Sequence, residues 1–307
     1  MLRSLLIFSS FAFTMTGANA CVRSLIQVTA PESRVIALPP LIFPHLQDHA
    51  LGAAAETRAV LPAAALIKMA FESLASVYPV NSETSFELAP FRGLSPVPLP
   101  KDAATKLTIT VEPKPSNYVI KITNDAGTKV AQGTGTAVIY PNHLPAFSEP
   151  IGGTSIMTAP SLYARLRRAG YAYGPTFQRL KLVTVSDNRA AGSIEISPSL
   201  AASDSLIDET VLDSCFHLFG AIFFNAHADG LNHEIFVPFT FGTILFSPNS
   251  LAQRPREFRC EMITQKIPQH ADAKVVFDLR LSLPNNTPVL SIRGGTAIKV
   301  PLESFGK

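Results

Sequence analysis

The sequence predicts an α+β fold in which two curled antiparallel sheets each wrap a central helix. Three observations carry that prediction. Two helical segments, PAAALIKMAFESLASVY at 62–78 and DETVLDSCFHLFGAIFFNA at 208–226, are apolar on most sides and need to be enclosed. Each is accompanied by a run of alternating, strand-like segments, and a flat sheet would leave such a helix half exposed. The 25 prolines outnumber the 17 glycines, which fits many strand boundaries and stiff loops.

The first half begins with SRVIALPPLIF, which reads as extended. Its helix starts near Pro62, and Leu66, Ile67, Ala70, Phe71, Leu74 and Val77 follow helical spacing. KLTITVEP, NYVIKITND and TKVAQGTGTAVIY then read as strands joined by polar turns such as Asn124-Asp125-Ala126-Gly127. The loop PNHLPAFSEPIGG at 141–153 divides the chain into halves of 21–147 and 148–307.

The second half opens with the helix APSLYARLRRAG, with Pro160 near its start and Gly170 at its stop. AGYAYGPTFQRL follows, a stiff corner with a Gly174-Pro175 turn between helix and strand. Strands are expected at 177–186 and 189–197, then the second buried helix. EIFVPFTFGTILF, EFRCEMITQ, AKVVFDLRLSL and VLSIRGGTAIKV complete the set. In VVFDLRLSL the residues Phe277, Leu279, Leu281 and Leu283 alternate with Asp278, Arg280 and Ser282, the pattern of a sheet with one wet face.

Composition excludes several classes. With 47% hydrophobic and 16% charged residues the chain is globular, and a net charge of +3 points to no nucleic-acid partner. Cys21, Cys215 and Cys260 are too few and scattered for a disulfide framework or zinc site. Beyond residue 20 no apolar run is long enough to span a bilayer. Residues 1–20, MLRSLLIFSSFAFTMTGANA, have the layout of a secretory signal peptide cleaved before Cys21; an uncleaved apolar extension is the alternative.

HExxH, CxxC, GxSxG and Walker motifs are missing, and QGTGTAV has Val138 where a dinucleotide fingerprint needs its third glycine. Two stretches remain as chemistry. In FPHLQDHALG, His45 and His49 flank Asp48. In VLDSCFH, Asp213 and His217 lie four apart and share a helix face. A carboxyl among Leu212, Phe216 and Phe219 is expected to be hydrogen-bonded or to keep its proton. Asp213 reads equally well as an ordinary acid near a helix N-terminus.

Taken in order, FPHLQDHAL, RAVLPAAALIKMA, LYARLRRAGYAYGPTFQRL, VLDSCFH and FVPFTFGTILF resemble the dehydratase domain of polyketide synthases over roughly residues 30 to 300. The resemblance implies a double hot-dog fold. It also implies removal of water from a 3-hydroxyacyl thioester held on the phosphopantetheine of an acyl carrier protein, giving a trans-2-enoyl thioester without metal or other cofactor. His49 would take the α-proton and Asp213 would protonate the departing hydroxyl, so the site must lie at the seam between the halves.

In that reading Tyr173, Gly174 and Pro175 wall the tunnel. The corner holds the imidazole with a backbone carbonyl and orders the acid with the Tyr173 phenol, while His217 orients Asp213. Gly52, Pro62 and Ala63 would serve the substrate carbonyl. The sequence departs from the family in two places: Pro62 lies thirteen residues after His49, so that AAAET reads as an insertion, and Ala63 stands where glycine is usual.

Implied partners are a carrier protein or polyketide synthase, with homodimerisation possible, and a cytoplasmic location on functional grounds. Arg165, Arg167 and Arg168 are candidates for docking an acidic carrier, or simply complement the helix dipole. His227 and His233 read as surface, and His143 and His270 as turn residues. A product-template-like aldol cyclase and an exported, non-catalytic acyl-chain binder are the alternatives on the same scaffold.

Overall fold

A computed structural model describes residues 31–38, 43–52, 57–78, 84–139, 155–196, 206–227, 234–252 and 255–305. The signal-like segment 1–20, Cys21, the 147/148 boundary, most of the AAAET insertion, His143 and His233 lie outside the described residues.

The strands are β1 (Glu32–Leu38), β2 (His49–Leu51), β3 (Arg58–Ala59), β4 (Thr84–Gly93), β5 (Thr105–Pro113), β6 (Tyr118–Asn124) and β7 (Lys129–Ile139) in the first half. The second half supplies β8 (Ser155–Thr158), β9 (Tyr171–Tyr173), β10 (Leu180–Val185), β11 (Arg189–Glu195), β12 (Glu234–Phe241), β13 (Thr243–Phe246), β14 (Glu257–Thr264), β15 (Lys274–Ser282) and β16 (Pro288–Pro301). The helices are α1 (Ala63–Val77), α2 (Ala159–Ala169), α3 (Glu209–Phe216) and α4 (Leu218–Ala226).

Helix α1 packs against β4, β5 and β7. Its six expected apolar positions are all buried, with Ile67, Ala70, Phe71 and Leu74 sealed completely. Removing a large apolar side chain of this kind from water stabilises the fold by roughly 1.5–3 kcal/mol. Helices α3 and α4 are wrapped in the same way by β10, β11, β14 and β15. The segment 208–226, expected as one helix, divides at His217, whose N–H donates to Ser214 O at 3.2 Å in a tighter turn.

Each half is a curled antiparallel sheet around a helix, but the sheets do not end at the seam. They form one thirteen-stranded sheet, in the order β1-β5-β6-β7-β4-β12-β16-β15-β14-β11-β10-β8, with β13 off this path and bridging β16 and β4. Pairing β4 with β12 and β13 covers two sheet edges that would otherwise lie open. Strand β4 was not expected from the sequence because Pro90 interrupts its alternation; the register shifts there, between Leu88 and Phe91. The wet face expected of β15 also fails at one end. Arg280 and Ser282 are buried, the Arg280 guanidinium donating to Asn286 O at 3.0 Å in the following turn.

A second, three-stranded sheet, β3-β2-β9, crosses the seam. It aligns His49 with Tyr173 and Leu51 with Tyr171. The chain reaches β9 through Gly170, which ends α2 at φ 103°, a backbone conformation that favours glycine.

Candidate active site

A 3-10 turn over Pro44–Asp48 delivers His49 to the start of β2, where its side chain is buried. The imidazole Nδ1 lies 2.6 Å from Val60 O. A carbonyl only accepts, so Nδ1 carries the proton and Nε2 of the neutral ring keeps its lone pair. That nitrogen faces Asp213 Oδ2 of α3 at 3.8 Å. The pair therefore joins a residue of the first half to one of the second.

Asp213 is held by side chains. His217 Nε2 lies 3.0 Å from the same Oδ2, and its Nδ1 lies 3.3 Å from the Tyr163 hydroxyl. Leu180 N–H donates to that hydroxyl at 3.2 Å. Burial holds the His217 imidazole below its ordinary value although Asp213 pulls it upward, so the ring is neutral. A neutral ring donates from Nε2 to the carboxyl and accepts from Tyr163 at Nδ1. Burial also raises the Tyr163 and Tyr173 phenols, which stay protonated.

The corner lies beside this pair, but its contacts differ from those expected. The carbonyl that holds the imidazole belongs to Val60, whereas Tyr173 O accepts from the Gln178 side chain at 2.7 Å. The Tyr173 phenol makes no hydrogen bond to Asp213 among the described residues. Its ring instead lies over His217, centroids 4.0 Å apart, and 5.3 Å from the His49 ring. Tyr173 lines the cavity; Gly174 and Pro175 do not.

Gly174 serves another purpose. Its N–H donates to Asp48 O at 2.7 Å, and Thr176 N–H donates to the Asp48 carboxylate at 3.0 Å. A Cβ at Gly174 would meet Asp48 Cγ at 2.4 Å, so only glycine permits the approach. Asp48, adjacent to His49, is thus the clamp between base and corner. The sequence offered one signal for it, an acid sandwiched between two histidines.

The cavity has a volume of about 280 Å³ and takes its walls from both halves. His49, Asp213, His217 and Tyr173 supply its polar end, while Leu66, Phe216, Met262 and Phe277 are among its apolar walls. Pro62 and Ala63 also line it. Gly52 does not; its N–H donates to Gly170 O at 3.0 Å, which removes it from any role toward a substrate carbonyl. Ala65 and Leu66 N–H both point to Pro62 O, leaving the Ala63 and Ala64 amides as the orphan donors of the α1 N-terminus.

Other candidates fall away from the cavity. Arg165 is engaged with Phe224, donating to its carbonyl at 2.9 Å, which leaves Arg167 and Arg168 exposed. His227 is half-buried rather than on the surface, its Nε2 2.7 Å from Pro268 O. Among the described residues no group of three His, Cys, Asp or Glu side chains could hold a metal ion. No helix among them is long and apolar enough to cross a membrane.

A family model described as the polyketide synthase dehydratase N-terminal domain matches residues 144–304, more than half of the chain. The chain belongs to the polyketide synthase dehydratase family. The matched part carries the corner, Asp213 and His217, while His49 lies outside it. Dehydratases of this family are hydro-lyases that act on 3-hydroxyacyl thioesters. No curated protein matches the chain.

Among solved structures, the dehydratase domain from the CurJ module of the curacin polyketide synthase is 15% identical, with a TM-score of 0.77 over 91% of this chain and 94% of that one. A trans-AT polyketide synthase dehydratase domain from Brevibacillus brevis is 16% identical, with a TM-score of 0.73 over 90% and 96%. The PpsC dehydratase domain from Mycobacterium tuberculosis, in complex with C12:1-CoA, is 18% identical, with a TM-score of 0.70 over 88% and 94%. At these identities the likeness is one of fold, the double hot-dog.

Proposed function

We propose that this dehydratase acts on a 3-hydroxyacyl chain carried on the phosphopantetheine of an acyl carrier protein, with His49 as base and Asp213 as acid. The observation that carries the reading is the 3.8 Å approach of His49 Nε2 to Asp213 Oδ2 across the seam, inside a largely apolar cavity.

The steps follow from the bonding of each group. His49 Nε2 removes the proton from the carbon next to the thioester carbonyl. The electron pair forms the new double bond and the C–O bond to the 3-hydroxyl breaks. Protonated Asp213 gives its proton to the departing oxygen, which leaves as water. Both groups border the same cavity, so a substrate lying there is within reach of base and acid together. His217 and Tyr163 keep one Asp213 oxygen engaged so that the other can face the hydroxyl. The Ala63 amide, at the α1 N-terminus, is the group assigned to the thioester carbonyl.

Carrier-bound substrates are cytoplasmic, and the reading puts the protein there; recovery of a mature chain beginning at Cys21 outside the cytoplasm would argue for the exported acyl-chain binder instead. The direct test is incubation with a 3-hydroxyacyl pantetheine thioester, followed by the absorbance of the conjugated enoyl product. Product formation by the native sequence is expected. Its absence across several chain lengths would remove the reading.

A further inference from the structure

Glu209 opens α3 one turn before Asp213, and with His217 it makes a stripe of ionisable side chains at four-residue spacing. It is 7% exposed. Its Oε1 lies 2.8 Å from His45 Nε2, and its Oε2 accepts from Lys68 Nζ of α1 at 2.6 Å. None of the three lines the cavity, and the dehydration steps use none of them.

The group is firmly ionic. Burial would raise the Glu209 carboxyl, but the His45 hydrogen bond and the Lys68 charge prevail and hold it down at about 2. The Lys68 ammonium is raised in turn, burial being outweighed by Glu209. Apolar side chains of similar size would hold α1 against α3 equally well, since a buried ion pair is a weak route to stability. What they would lack is direction.

Direction is what this place in the fold requires. His45 and His49 stand four apart on the segment 44–49, and Glu209 and Asp213 stand four apart on α3. The two cross-links, His45 to Glu209 and His49 to Asp213, therefore run side by side, about 6 Å apart along the helix. The first is a close hydrogen bond at 2.8 Å; the second, at 3.8 Å, is too long for one and must keep its geometry for both groups to reach one substrate. Lys68 ties the same carboxylate to α1, whose N-terminus borders the cavity.

We propose that Glu209 is a positioning residue, which through His45 and Lys68 sets the distance and angle between the His49 imidazole and the Asp213 carboxyl. Its effect on turnover rests on the hydro-lyase reading; its effect on geometry does not. The test uses the full chain with ¹⁵N-labelled histidine, following the His49 Nδ1–H resonance, assigned with H49A, beside kcat and KM for a 3-hydroxyacyl pantetheine thioester. In E209Q the His49 resonance is expected to move and kcat to fall about tenfold or more, with KM changed less than about twofold.

The double variant K68M/E209L replaces the ion pair with apolar groups. It should melt close to the native sequence and still show the moved resonance and reduced kcat, and it serves if E209Q does not fold. A folded variant of either kind with an unmoved His49 resonance overturns the proposal, whatever its turnover. A native protein without turnover, whose resonance nevertheless moves in E209Q, would remove the hydro-lyase reading and leave the clamp standing.

Discussion

The two halves repeat one plan but hold their reactive side chains by opposite means. His49 is aimed by backbone: Val60 O fixes its tautomer, and the pairing of β2 with β9 fixes its place beside Tyr173. Asp213 is aimed by side chains, through His217 to Tyr163. The difference teaches where the site can be tuned. A single side-chain change cannot remove a carbonyl, so the tautomer of the base is kept when its neighbours change, whereas the groups bonded to the acid can be altered one atom at a time.

The largest effect should come from cutting the pair itself. His49→Ala and Asp213→Asn are each expected to lower turnover of the thioester roughly a hundred- to ten-thousand-fold, with melting temperatures close to native. A dyad variant that retains turnover would remove the seam from the account.

Next comes the electrostatic cross-link between the halves. Glu209 has a folded value of about 2 against an ordinary 4.5, so the folded state holds its carboxylate more tightly than the unfolded chain does. Its contribution is complete above the ordinary value and is lost as pH falls from about 4.5 toward 2. The size is on the order of 3 kcal/mol. Denaturant titrations at pH 7 and pH 3 should show E209Q less stable than native at pH 7, with the gap narrowing at pH 3. A gap of constant size would contradict the assignment.

How far the sequence anticipated this architecture depends on what each feature rests on. The α1 face was legible because its apolar positions keep one period and all of them are buried. The corner was legible as a stiff turn, but its partner was not. Asp48 meets it from 128 positions away, and no local pattern announces a carboxylate that accepts from the Thr176 amide. Tyr163 was hidden for the same reason, reading as one more bulky residue on an apolar face while its hydroxyl reaches His217. Glu209 does leave a trace in the sequence, the four-residue spacing that it shares with Asp213 and His217. Strand β4 was lost to Pro90, and the break at His217 to residues that are all compatible with a continuous helix.

Smaller effects sharpen the contrast between backbone-held and side-chain-held groups. Tyr163→Phe strips the partner from His217 Nδ1 and from Leu180 N–H, and should cost about 1–3 kcal/mol of stability together with about a tenfold loss in kcat. Because the folded His217 is held below its ordinary 6.5, the unfolded chain takes up that proton first as pH drops. Native stability should therefore decline as pH falls below about 6.5, and His217→Gln should flatten that limb of the stability–pH curve. The smallest effect is expected at His227, whose contact with Pro268 O is remote from the cavity. His227→Ala should lose about 1 kcal/mol of stability and leave turnover unchanged.

The division of labour between imidazole and carboxyl is tested most directly by following the α-hydrogen of a 3-hydroxyacyl thioester in heavy water by mass spectrometry, with the native chain and both dyad variants. His49→Ala should lose α-exchange and elimination together, and Asp213→Asn should lose elimination. Exchange or elimination persisting at the native rate in His49→Ala would contradict the account.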